Sequence, residues 1–98
     1  NIKNKKISIV KHKKGSVYHN YVLLVKNRRK FFDYLKKNKI EANIHYPFSI
    51  NEHLALRKKF KESYKNAELY AKQCISIPVH PLLKKKELLK IVTVINNY

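Results

Sequence analysis

The stretch Ile40-Glu-Ala-Asn-Ile-His-Tyr-Pro47 alternates apolar and polar residues in the way that is typical of a β-strand. Successive side chains of a strand point to opposite faces, so Tyr46 is predicted to share a face with the apolar residues and His45 with the polar ones. Pro47 has no amide proton and ends the strand. We therefore expect one face to pack against a core, with an imidazole and a phenol at the end of the strand, where a ligand can reach them.

Two more strands, three helices and an extended segment are predicted around this stretch. Residues 16–26 are apolar on both faces, which is typical of a central strand. Asn27 is a good N-cap for a helix over residues 28–37, Asn38 suits its C′ position, and Asn66 is the predicted cap of a second helix. The remaining predicted elements are a strand at 7–10, an extended segment at 75–81 and a helix from 84 to about 96.

These elements predict an α+β domain in which helices pack on one face of a small, mostly antiparallel sheet. Ninety-eight residues with 44% apolar content suffice for one domain, spanning 1–98, with a modest core. Cys74 is expected on the buried stripe of the second helix. The predicted core consists of Val22, Leu24, Phe31, Leu35, Ile44, Ala71, Leu88, Val92 and Ile95.

The net charge of +17 raises the alternative of a basic module that binds nucleic acid. Lysine outnumbers arginine twenty to three, and Lys, Asn and Ile, all with AT-rich codons, supply 40 of the 98 residues. The lysines are spread along the chain, and Tyr18 and Tyr21 are predicted to point to opposite faces of their strand. These features favour biased codon usage over a specific nucleic-acid partner, while weak binding to any polyanion is expected.

Cysteine and histidine usage bears on location and on metals. The single cysteine, Cys74, excludes an internal disulfide and fits a reducing compartment, and the cytoplasm is the predicted location. No apolar run approaches the ~20 residues of a membrane span, so no membrane association is predicted. The pairs His12/His19 and His45/His53 lack the short ligand spacing of common zinc sites, so no metal site is predicted.

An ordered set of landmarks resembles a known family. These are Tyr18-His19-x-Tyr21-Val22, a helix ending in Tyr34-Leu-Lys-Lys-Asn38, Ile44-His-Tyr-Pro47 with His53 six residues later, Ala67-Glu68, and Ser76-Ile-Pro78. In this order and spacing they resemble the C-terminal small domain of the DegT/DnrJ/StrS-type, pyridoxal-phosphate-dependent nucleotide-sugar aminotransferases. The resemblance implies the small domain of the aspartate-aminotransferase fold type.

The resemblance also implies different roles for two domains of the complete enzyme. In such enzymes a large N-terminal domain carries the Schiff-base lysine and pyridoxal phosphate, and a homodimer builds each active site. His45 and Tyr46 are then the best candidates for contact with the nucleotide-sugar, and His53 and His19 weaker ones. This chain, in which no catalytic residue is predicted, is expected to be a fragment that binds no cofactor and is inactive alone, with the missing cofactor domain as its partner.

The chain departs from the family pattern at two turns. Lys39 stands where the family usually has glycine, so this turn is expected to close differently, and lysines stand where a Ser or Thr usually caps the last helix. A third interpretation stays open beside the aminotransferase and the nucleic-acid module. An orphan interaction domain from a truncated gene is expected to expose an apolar patch where the large domain packed.

Overall fold

The computed structural model describes residues 2–98. Within that range three strands form one antiparallel sheet in the order β1-β2-β3, and three α-helices accompany it. The α+β class predicted from the sequence is confirmed. None of these helices combines the length and the apolar character that a membrane span requires. The elements are β1 (Ile7–Ile9), β2 (Tyr21–Val25), α1 (Arg28–Lys37), a 3₁₀ turn (Ile50–Glu52), α2 (Lys65–Gln73), β3 (Cys74–Ile77) and α3 (Lys85–Asn96).

The main core lies between one face of the sheet and the helices α1 and α3. Leu23 of β2 and Ile75 of β3 are register partners and are fully buried. Directly opposed residues of an antiparallel pair share a face, so both side chains point to the same layer of helices. The buried side chains of this cluster are Ile7, Leu23, Val25, Phe31, Leu35, Ile40, Ile75, Ile77, Ile91 and Ile95.

The opposite face of the sheet carries the residues that position the candidate site. Val22 opposes Ser76 and Leu24 opposes Cys74, and of these Val22, Ser76 and Cys74 are buried. The Cys74 Sγ donates to the Tyr46 carbonyl at 3.5 Å. The segment that follows Ile40 therefore contacts this second face, and its position is set by β3.

Helix α1 has the predicted bounds and the predicted N-cap, but its C-terminal turn differs from the prediction. The Asn27 side chain accepts a hydrogen bond from the Lys30 amide at 3.3 Å, which satisfies one of the free donors of the first turn. Asn38, predicted to take the left-handed C′ position, instead has φ −87°. Lys39 takes that conformation with φ +57°, at the position where the family usually has glycine. The expectation that this turn closes differently was therefore wrong, because Lys39 adopts the left-handed conformation that glycine favours.

We expect Lys39→Gly to raise the free energy of unfolding by about 1 kcal/mol, because a residue with a Cβ is disfavoured in the left-handed region. The measurement is urea unfolding followed by circular dichroism. Lys37→Gly, inside the last turn of α1, is the matched control and should lower stability by about 0.5–1 kcal/mol. Equal destabilisation by both changes would contradict the assignment.

The strand predicted over residues 16–26 is shorter in the structure and begins at Tyr21. Tyr18 has φ +44°, which is incompatible with a strand and breaks the alternation of faces. The rings of Tyr18 and Tyr21 consequently stack, with centroids 5.8 Å apart, rather than pointing to opposite faces as predicted.

Two predictions about α2 were wrong in detail. Asn66 is not its N-cap, because the helix already begins at Lys65 and follows Tyr64. Glu68 reaches back instead and accepts a hydrogen bond from the Tyr64 amide at 2.9 Å. Cys74 is fully buried as predicted, but it is the first residue of β3 rather than part of the helix.

Helix α3 matches the predicted span, and its first turn is capped by a carboxylate. Glu87 accepts a hydrogen bond from the Lys84 amide at 2.8 Å, which supplies the cap that the lysines themselves lack. Among the predicted core residues, the prediction for Leu88 was wrong, because 46% of its surface is exposed. Partial rather than full burial is found for Leu24, Ile44 and Val92.

Candidate functional site

The predicted strand over residues 40–46 is reduced to a single bridge to β3. The Asn43 amide donates to the Ser76 carbonyl at 3.0 Å, and the Ser76 amide donates to the Asn43 carbonyl at 2.7 Å. Ile40 is buried and Ala42 packs against the core, so the predicted alternation holds up to this bridge. Beyond it the ladder ends, and His45 and Tyr46 contact β3 through the side chains of Ser76 and Cys74 rather than through backbone pairing.

His45 lies on the face opposite the main core, as predicted, and is partly buried. Its Nδ1 is 3.0 Å from the Ser76 Oγ. The following peptide bond, His45–Tyr46, is cis. Tyr46 is 71% exposed, so the prediction that it shares the packing face with Ile40 was wrong. The two rings meet edge to face with centroids 5.7 Å apart.

A groove of about 490 Å³ opens on one side of His45. We call it the aromatic groove, because five aromatic side chains of the 46–70 region contribute to its lining. Several of them are substantially exposed, Tyr46 and Phe48 (59%) most of all. Its lining consists of Tyr46, Phe48, Phe60, Tyr64 and Tyr70, together with His45, Ser49, Ile50, Asn51, Ala67 and Ala71.

Two carboxylates hold the wall of the aromatic groove in shape. Glu68 accepts hydrogen bonds from the Tyr64 amide and the Asn51 side chain, which lower the pKa of its carboxyl group. Glu52 accepts from the hydroxyl and the amide of Ser49, and these bonds lower its pKa as well. Because the ionised forms are the better acceptors, both carboxylates stay charged. Glu68 connects the 3₁₀ turn to α2 through Asn51, and Glu52 closes the turn on Ser49.

Tyr70 contributes a neutral hydroxyl group to the aromatic groove. Burial raises the pKa of its phenol, and the nearby Cys74 adds to the shift. The rings of Phe60 and Tyr64 meet at 85° on the same side of the groove. The surface offered here is thus a set of apolar ring faces with a few neutral hydroxyl groups.

A second, more polar pocket of about 280 Å³ lies on the other side of His45. It brings together His19 and His45, two of the predicted site residues, which are distant in sequence. His80 also lines it and was not predicted as a site residue, although its position between Pro78 and Pro81 indicates a loop histidine with restricted flanking backbone. We call this the histidine pocket.

His53 lines neither cavity. Its ring lies against Phe48, with centroids 6.3 Å apart, at the outer edge of the aromatic groove. Of the four predicted site residues, His45 alone borders both cavities. The structure therefore brings His45 together with Tyr46 in one cavity and with His19 in the other, and leaves His53 outside.

The described linings do not fit pyridoxal phosphate. Among residues 2–98, no lysine or arginine lines either cavity, so neither offers an amine for a Schiff base or a cation for the phosphate. In the same range, no group of three His, Cys, Asp or Glu side chains is arranged to hold a metal ion. The aromatic groove can contact apolar rings, and the histidines of both cavities can hydrogen-bond to oxygen atoms.

The fold is that of aminotransferases. S. venezuelae DesV, solved in complex with a ketimine intermediate, superposes with a TM-score of 0.86 at 22% identity, covering 94% of this chain and 26% of that protein. A DegT DnrJ EryC1 StrS aminotransferase from Brucella abortus gives 0.82 at 22% identity, with coverage of 94% and 26%. Sugar aminotransferase CalS13 from Micromonospora echinospora gives 0.80 at 15% identity, with 95% and 25%.

The family follows from the sequence match. The model of the DegT/DnrJ/EryC1/StrS aminotransferase family matches residues 1–96, and the chain belongs to this family. A dTDP-3-amino-3,6-dideoxy-alpha-D-galactopyranose transaminase from Aneurinibacillus thermoaerophilus is 31% identical over 85 residues, which are 87% of this chain and 23% of that enzyme. The chain thus spans about a quarter of the length of the relatives it matches.

Proposed function

We propose that this chain is part of a nucleotide-sugar aminotransferase, in which it closes over the active site and contacts the nucleotide-sugar. Membership of the family and the similarity to a dTDP-sugar transaminase support the reaction class. The observation that carries the proposed role is the position of His45, which borders both the aromatic groove and the histidine pocket. Its imidazole can hydrogen-bond to oxygen atoms of a sugar or a phosphate.

Tyr46 and His19 complete the proposed substrate contacts. Tyr46 is exposed beside His45 and offers a hydroxyl group, while His19 faces the same pocket as His45. His53 is assigned only a peripheral contact, because it lies outside both cavities. His45, Tyr46 and His19 bind and orient substrate in this proposal, His53 contributes only the peripheral contact, and none of the four carries out the proton transfers of transamination.

Pyridoxal phosphate, which would supply the electron sink for amino transfer, is proposed to bind to the rest of the enzyme. Neither the aromatic groove nor the histidine pocket is lined by an amine or a cation that could hold it, and the relatives are about four times as long as the chain. The partner is accordingly a cofactor domain that packs on the aromatic groove. We further propose that the complete enzyme is a homo-oligomer and that it acts in the cytoplasm, where the free thiol of Cys74 stays reduced.

The proposal is tested by grafting this chain into its relative. The segment of the A. thermoaerophilus transaminase that matches residues of this chain is replaced by the chain, and transamination of dTDP-3-amino-3,6-dideoxy-alpha-D-galactopyranose is assayed. An active graft supports the proposed role. A graft that folds, binds pyridoxal phosphate and leaves the nucleotide-sugar unbound would contradict it.

In the active graft we expect His45→Ala to lower kcat/KM by about 10–100-fold, because a lost hydrogen bond to a charged or strongly polar oxygen costs about 1.5–3 kcal/mol. His53→Ala is the matched control, since His53 lines neither cavity, and should change kcat/KM less than about threefold. Steady-state kinetics at saturating amino donor give both values. A larger loss from His53→Ala than from His45→Ala would reverse the assignment.

A further inference from the structure

The backbone of Ser76 is held by two hydrogen bonds on the side of the strand that faces Asn43. It is buried in β3, where its amide and carbonyl groups both bond to Asn43, at 2.7 and 3.0 Å. With the backbone fixed on this side, the Oγ can move only among the staggered χ1 positions. In the observed position the Oγ lies 3.0 Å from the Nδ1 of His45, 31 residues earlier in the chain.

The direction of this hydrogen bond follows from the needs of the hydroxyl group. Within residues 2–98, His45 Nδ1 is the partner found for the Ser76 Oγ, and no buried side-chain nitrogen or oxygen is left without one. A buried hydroxyl proton without an acceptor costs free energy, so the Oγ donates its proton to Nδ1. A neutral imidazole that accepts at Nδ1 carries its own proton on Nε2.

We propose that Ser76 is a positioning residue that fixes the ring and the tautomer of His45, so that the imidazole acts as a hydrogen-bond donor through Nε2. The group recognised at this point is then an acceptor oxygen, such as a hydroxyl, carbonyl or phosphate oxygen, and not an amino group. That this oxygen belongs to a nucleotide-sugar rests on the proposed function. The tautomer and the contact to Ser76 do not depend on it.

The tautomer is measured directly by long-range ¹H–¹⁵N NMR of the full chain at alkaline pH. We expect the His45 Nε2 to have the shift of a protonated nitrogen and Nδ1 that of an unprotonated nitrogen accepting a hydrogen bond. In Ser76→Ala the Nδ1 resonance should move toward the value without a hydrogen bond, and Ser76→Thr, which keeps the hydroxyl group, should restore it. The signals of His12 and His53, which do not contact Ser76, serve as internal controls.

Two results would overturn the proposal. One is a proton on Nδ1 in the wild-type chain, which is decisive even if Ser76→Ala fails to fold. The other is a folded Ser76→Ala variant whose His45 signals are unchanged.

In the active graft, Ser76→Ala should raise KM for the nucleotide-sugar roughly 2–12-fold, the equivalent of one ordinary hydrogen bond, and should affect kcat less. Ser76→Thr should restore the KM of the unsubstituted graft. An inactive graft bears on the proposed function, whereas the NMR result bears on Ser76.

Discussion

Replacing Ile95 with alanine is expected to lower the free energy of unfolding by about 2–5 kcal/mol, the usual cost of removing a large buried aliphatic side chain. Ile95 is fully buried in the main core, between α3 and the sheet. A domain of this size has limited stability to lose, so a substantial unfolded population is expected at 25 °C. Urea unfolding monitored by circular dichroism measures the change.

Leu88→Ala is the matched control on the same helix. Leu88 lies seven residues before Ile95 and on the same predicted stripe, but 46% of its surface is exposed. Its truncation should cost less than about 1 kcal/mol, because little apolar surface returns to water. Equal losses from the two variants would mean that the sheet extends under the first turn of α3, contrary to the structure.

This pair also shows what helical periodicity can predict. Leu88, Ile91, Val92 and Ile95 follow one stripe, and the stripe correctly identifies the face of α3 that turns inward. It carries no information about where the layer beneath the helix ends. Burial therefore follows from the length of the neighbouring strands, which leaves Ile91 and Ile95 in the core and Leu88 at its edge.

In the candidate site, too, some positions follow from the local sequence pattern and others do not. Alternation along residues 40–45 correctly assigned His45 to the face opposite the core, because the bridge between Asn43 and Ser76 keeps that part of the chain in register with β3. Alternation fails for Tyr46, because the ladder ends before it. The contact of His45 with Ser76 joins residues 31 apart, and only the pairing of β3 brings them together. No local pattern contains that information.

The histidines also show that a local sequence pattern does not predict which residues meet across the sheet. His19 and His80 are distant in sequence, since one lies just before β2 and the other just after β3. Both line the histidine pocket beside His45. Tyr21 and Ile77 are register partners, so the chain segments flanking them are neighbours. The pairing of β2 with β3 thus assembles the pocket. Of the two weaker candidates that the resemblance implied, His19 lines this pocket and His53 does not.

Placing a charge in the aromatic groove is expected to weaken assembly with the proposed cofactor domain. Phe48 is 59% exposed, lines the groove and contacts the ring of His53. If the rest of the enzyme packs here, Phe48→Asp buries an unpaired carboxylate and removes an aromatic anchor. The binding partner is the A. thermoaerophilus transaminase from which the segment that matches this chain has been removed. The affinity of this chain for that protein should fall by at least about 30-fold, the equivalent of a ~2 kcal/mol hot spot. Titration calorimetry of the two polypeptides measures it.

Leu82→Asp is the matched control, because Leu82 is 82% exposed and lies outside the groove lining. It should leave the affinity within about threefold of the wild-type value. The isolated chain gives an independent reading, since large exposed apolar patches promote self-association. Phe48→Asp should therefore reduce self-association and dye binding by the free chain and also weaken assembly. A parallel decrease of all three from one substitution is what an interface predicts, whereas loss of fold would increase dye binding, and unchanged assembly would place the proposed cofactor domain on another face.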